Sequence, residues 1–190
     1  MNRRTSLKYL LGAGLSGSAI VAVYKFTGWE SPDIEYLAGK QPTIAELAEM
    51  IIPRTDTPGA KDARVDQFII RMITEGSDKK TQRNFIKGLK QLEQYALNYY
   101  ENEFINCSYK SRYQILSYYE KSSGYSSAIL NKISNRLLGK PFFIKLKELT
   151  VEGYCTSEVG AMQGLAFDYV PGDYLACTPL QLNQKSWATK

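Results

Sequence analysis

The sequence contains no histidine. That absence removes Ser-His-Asp and Cys-His nucleophile systems, His-ligated zinc, axial histidine on haem and the commonest general base at neutral pH. Cysteine is scarce as well: Cys107, Cys155 and Cys177 form neither CxxC nor CxxCH, which argues against thiolate metal clusters and covalently attached haem. An enzyme built on Ser, Lys or carboxylates alone would lack the group that activates a nucleophile, so unaided catalysis is not expected. Residues 1 to 24 contain no Asp or Glu, and Arg3, Arg4 and Lys8 supply three of the +5 net charges. The +2 that remains is too little for a nucleic-acid footprint, and no nucleic-acid partner is expected. Low-complexity tracts, internal repeats and strand-like alternation over six residues are all missing. What is present, 44% hydrophobic and 12% aromatic residues in 190, suits one ordinary globular domain.

The N-terminus reads NRRTSLKYLLGAGLSGSAIVAVY, paired arginines followed by an uncharged, Gly-rich apolar run from Tyr9 to Tyr24. It resembles a bacterial twin-arginine export signal, with Arg3 and Arg4, a spacer, then Leu7 and Lys8; Asn2 and Ser6 depart from the commonest residues at their positions. A membrane helix is the alternative, but the run is short for a bilayer and diluted by Gly12, Gly14 and Gly17. Cleavage is placed between Ala22 and Phe26, with an uncleaved anchor left open. Residues 1–24 are thus expected to be a leader, 25–41 a linker or arm, and 42–190 a single helical domain.

Within that domain, Thr43 to Glu46 has the form of a capping box, and Ile44, Leu47, Ala48, Ile51 and Ile52 repeat at helical spacing before Pro53. Residues 53–60, PRTDTPGA, form a loop by composition, read either as a helix connection or as an edge for a partner. Asp62 is placed as the cap of a helix carrying Val65, Phe68, Ile69, Met72 and Ile73. Ser77 or Asp78 opens a longer one to about Glu103, with Phe85, Leu89, Leu92, Ala96 and Tyr99 buried and Lys87, Lys90, Gln91, Glu93 and Gln94 in water. Ser108 caps a helix to Lys121. Another spans about 127 to 138, closed by Gly139, and Pro141 starts the last. Tyr95, Tyr99, Tyr100, Tyr109, Tyr113, Tyr118, Tyr119 and Tyr125 make the middle of the chain tyrosine-rich. They read as core-edge aromatics with wet hydroxyls ahead of an electron-hopping or sugar-stacking row. The predicted fold is all-α, an irregular bundle of five or six short helices with a long ordered C-terminal loop.

That loop is the segment from Thr150 to Cys177, TVEGYCTSEVGAMQGLAFDYVPGDYLAC, dense in Gly, Tyr and Cys, with Pro171-Gly172 suited to a type II turn. It is expected to face a partner, and 181–190 reads as a polar tail. Together with LAEMIIPRTDTPGAKDARVDQFI at 47–69, it resembles the two characteristic blocks of the gluconate 2-dehydrogenase subunit 3 family. The matching positions are Pro53, Thr55, Asp56, Thr57, Pro58, Gly59 and Ala60, then Gly153, Tyr154, Thr156, Ser157, Glu158, Gly160, Pro171, Gly172 and Tyr174. No catalytic residue, cofactor or metal site in this chain is implied.

The resemblance implies a partner: a large flavoprotein of the glucose-methanol-choline oxidoreductase (GMC) type, binding FAD and oxidising a sugar, sugar acid or related polyol. It also implies a cytochrome c that takes electrons onward in such systems. The large subunit would travel through the twin-arginine translocase on this chain's leader to the periplasm or membrane. Thr156 or Ser157 would cap a short helix supported by Glu158, and the motif residues either brace the loop or touch the partner. In an oxidising periplasm Cys155 and Cys177 could close a loop of about twenty residues, worth roughly 3 kcal/mol. Cys155 bonded to a partner cysteine is an equal contender, with Cys107 buried or bonded to the large subunit. The competing function is an independent exported saccharide-binding protein that stacks sugars on its tyrosines.

Overall fold

The computed structural model describes residues 31–123, 139–170, 172, 177, 179–180 and 182–188. The described helices are α1 (Ile34–Gly39), α2 (Gln41–Ile51), α3 (Val65–Thr74), α4 (Lys79–Tyr100), α5 (Tyr109–Ser122) and α6 (Phe142–Thr156). A 3-10 turn at Phe104–Asn106 and a π-helical turn at Gly160–Gly164 complete the list, and no strand occurs among the described residues. The expected all-α bundle is therefore what the chain forms. The helix expected at 127–138 lies outside the described residues.

The apolar spacing builds the core directly. Ile44 and Leu47 of α2, Val65, Ile69 and Ile73 of α3, Phe85, Leu89, Leu92 and Ala96 of α4, and Leu146 and Leu149 of α6 are all buried. Helix α6 is the hub, packing on α2, α3, α4 and α5 and running into the π-helical turn. Asp78 caps α4 by accepting from Thr81 N at 3.1 Å, and Ser108 caps α5 by accepting from Ser111 N at 3.2 Å. Gly139, at φ +84°, takes the left-handed conformation before α6.

Several expectations require correction. The compact unit begins at Asp33, so the C-terminal part of the expected linker is folded. Asp33 caps α1 by accepting from Tyr36 N at 3.3 Å, and Leu37 is fully buried. Lys90 pairs with Asp33 at 2.9 Å and sits 4.6 Å over the Tyr36 ring, fastening α1 to α4.

No capping box forms at Thr43. Helix α2 starts two residues earlier with Pro42 in its first turn, where a missing N–H costs nothing. Thr43 instead donates to Glu93, while Glu46 pairs with Lys61 and with Arg112 at 2.6 Å. Asp62 does not cap α3 either: that helix begins after Arg64, which is left-handed at φ 52°. Along α4, Tyr99 is exposed beyond the end of the core, and Glu93, expected in water, is buried. The Glu93 carboxylate accepts from Thr43 Oγ1 at 3.0 Å and meets Lys40 Nζ at 3.2 Å. Four residues from Leu89 and three from Ala96, Glu93 lies on the buried stripe itself.

Candidate functional site

The loop at 53–60 owes its shape to an acid that sequence reasoning passed over. Glu49, in the last turns of α2, accepts from Arg54 N and Lys61 N, each at 2.9 Å, through separate carboxylate oxygens. One carboxylate thus satisfies a backbone donor on each side of the loop. Ala60 N donates to Ile52 O at 2.9 Å, and Asp62 accepts from Gly59 N at 3.0 Å. A Cβ at Gly59 would run into the Glu49 carboxylate and stand 2.7 Å from Arg54 N. Pro53, Thr55 and Asp56 lie on the exposed rim, where the Thr55 hydroxyl donates to Asp56 at 2.9 Å.

The second block starts inside a helix rather than in a loop. Helix α6 continues through Gly153, Tyr154, Cys155 and Thr156. Gly153 is there for packing: a Cβ on it would stand 2.6 Å from the Phe68 ring on α3. Next to it, the Tyr154 hydroxyl donates to the Pro58 carbonyl at 2.8 Å across 96 residues of sequence. This bond joins the two blocks. Thr156, exposed, donates to Glu152 O at 2.7 Å and stays a helix residue.

Ser157, not Thr156, makes the cap. Its hydroxyl donates to Tyr154 O at 2.7 Å and accepts from Gly160 N at 2.9 Å. Glu158 is exposed. The π-helical turn then folds back over Tyr154: a Cβ on Gly160 would collide with the Tyr154 carbonyl, and one on Gly164 would lie 2.9 Å from the Tyr154 ring. Backbone can approach that closely only where no side chain intervenes.

Beyond this turn the C-terminal segment leaves at Leu165 and returns. Ala166 bridges to Trp187 in parallel sense, with Ala166 N donating to Ser186 O and Ala188 N to Ala166 O, both at 2.8 Å. Lys185 Nζ adds a bond to Gln163 O at 2.6 Å. The stretch at 181–190, expected to be a polar tail, therefore docks back on the chain through 185–188. Along the segment, Phe167, Tyr169, Val170, Leu180, Leu182 and Trp187 are exposed, Tyr169 at 89% and Leu182 at 96%. This segment therefore carries several large apolar side chains in water.

Gly172 is exposed with open space around it, while Pro171 and Tyr174 lie outside the described residues, as do Arg3, Arg4, Leu7 and Lys8. All three thiols are free: Cys155 is half-buried against the core, Cys177 exposed, and Cys107 buried, which pushes its thiol pKa up. The Cys155–Cys177 bond is not formed. Cys155 is fixed on the last turn of α6, turned toward its own core rather than free in the loop. Among the described residues no cluster of three potential metal ligands occurs, and no helix is long and apolar enough to cross a membrane.

The geometry brings Pro58, Gly59, Gly153, Tyr154, Ser157 and Gly160 into one braced unit, with Pro53, Thr55, Asp56, Thr156 and Glu158 exposed around it. Glu49 and Asp62, which hold the loop's backbone, had one usable signal: acids flanking a turn rich in unsatisfied N–H groups. No curated protein and no solved structure matches the chain. The family model described as gluconate 2-dehydrogenase subunit 3 matches residues 38–172, from the end of α1 to Gly172, and the chain belongs to that family.

Proposed function

We propose that this chain is a non-catalytic small subunit that stabilises and exports an FAD-dependent large subunit of the GMC type, which oxidises a sugar, sugar acid or glycoside. Family membership over residues 38–172 carries the reading. The exposed apolar segment supports it, because Phe167, Tyr169, Val170, Leu180 and Leu182 offer a large partner a surface that water tolerates poorly. The braced motif residues at its base hold that surface to the helical platform. Substrate and flavin belong to the partner, and electrons pass from it to a cytochrome c. Arg3 and Arg4 direct both proteins to the twin-arginine translocase, and the complex resides in the periplasm or at the membrane.

The test is export of the partner. With Arg3 and Arg4 both changed to Lys, the active large subunit is expected to be lost outside the cytoplasm while remaining detectable inside. Normal export of active large subunit by the double variant overturns the reading.

A further inference from the structure

The tyrosines of α4 and α5 are arranged more specifically than core-edge packing requires. Tyr95 lies between two nearly parallel rings, Tyr99 at 4.3 Å between centroids and 28°, and Tyr118 at 4.9 Å and 19°. Tyr119 meets Tyr95 and Tyr118 edge-on at 6.2 and 5.5 Å. The two outer members are open to water, Tyr99 at 69% and Tyr118 at 51%. Inward, the row continues through Tyr119 to Phe142 at 6.3 Å and on to Phe85 at 5.0 Å.

We propose that Tyr95, Tyr99, Tyr118 and Tyr119 form an oxidative modification site, at which a one-electron oxidant joins two of the stacked rings through a carbon–carbon bond. A phenol gives up an electron readily only if its proton has somewhere to go. Tyr99 and Tyr118 can release theirs to water, and Tyr95, half-buried with its pKa raised by desolvation, does so less readily, whereas burial pushes the Tyr119 pKa up to about 12 and holds its proton in place. Phe142 and Phe85 have no phenol to oxidise, so an electron hole stays among the tyrosines and settles at the exposed end. Each of two oxidations sends one electron to the oxidant and one phenolic proton to water. The two phenoxyl radicals couple ring carbon to ring carbon at the positions beside the oxygens. The hydrogen on each joined carbon then moves to its own oxygen and restores both phenols. The net loss is two hydrogens. Because Tyr95 and Tyr118 are already in contact, the bond staples α4 to α5 with little rearrangement.

Photo-oxidation of the folded full-length protein with a ruthenium tris-bipyridyl sensitiser and persulfate tests this. Expected products are dityrosine fluorescence in the monomer and, after trypsin, either peptide 91–110 joined to 113–121 or peptide 91–110 short of two hydrogens. Tyr95→Phe should remove both. Tyr118→Phe, a change at an exposed ring that the fold tolerates, should remove the joined pair alone. Tyr109→Phe, at a ring that is 67% exposed, should retain both. Full yield in Tyr95→Phe, or equal yield of these links from the urea-unfolded chain, overturns the proposal.

Discussion

Two side chains matter most to the fold and to the candidate surface. Glu93 is a buried carboxylate held by the Thr43 hydroxyl and Lys40, with Phe104 N at 3.5 Å. Deleting it leaves a buried hydroxyl and an ammonium without their partner, which costs more than the net worth of the bonds themselves. Glu93→Ala should lower unfolding stability by about 2 to 3 kcal/mol in urea titrations. A loss within experimental error would mean that Lys40 and Thr43 find water instead. Tyr154 connects the two motif blocks through one neutral hydrogen bond. Tyr154→Phe keeps the ring under Gly164 and removes only the hydroxyl, so it should cost about 1 kcal/mol with helical circular dichroism unchanged. Its larger effect belongs to the loop: proteolysis after Arg54 or Lys61 should accelerate as the Pro58 carbonyl is released.

At the scale of elements, what the sequence revealed and what it concealed separate cleanly. Helix α4, with its strong apolar periodicity and the Asp78 cap, and helix α5, with the Ser108 cap, were readable because those signals lie within a few residues. Helix α1 was hidden: six residues long and framed by Gly and Pro, it is stable only because Leu37 and Asp33 reach α2 and α4. The capping box at Thr43 misled for the same reason, since its side chain binds Glu93, fifty residues away. Within the site, the density of glycine was visible, but not that Gly153 meets α3 while Gly160 meets the Tyr154 carbonyl.

Element-scale predictions follow from the same geometry. Asp78→Ala should destabilise α4 by about 1 kcal/mol at neutral pH. The Thr81 hydroxyl, and then its N–H, hold the Asp78 carboxyl below its ordinary pKa, so this contribution is complete above the unfolded-state value near 3.9 and is lost as pH falls through the folded one. Stability curves of the wild type and of Asp78→Ala should therefore converge in strong acid and separate toward neutrality. Gly160→Ala should force the π-helical turn off the Tyr154 carbonyl, at a cost of about 1 to 3 kcal/mol.

At the scale of the whole molecule, the helical core and the C-terminal segment of the compact unit from Asp33 onward divide the work. The core of α2, α3, α4 and α6 holds the base of the C-terminal segment, and that segment carries large apolar side chains into water. The chain belongs to the gluconate 2-dehydrogenase subunit 3 family, and the function proposed above assigns the chemistry to a second protein. Purifying this chain from the cells that make it, then reading the mass and visible spectrum of what accompanies it, tests the account most directly. The account predicts a larger subunit in fixed ratio with the absorbance of bound flavin; a flavin-free, monodisperse monomer would contradict it.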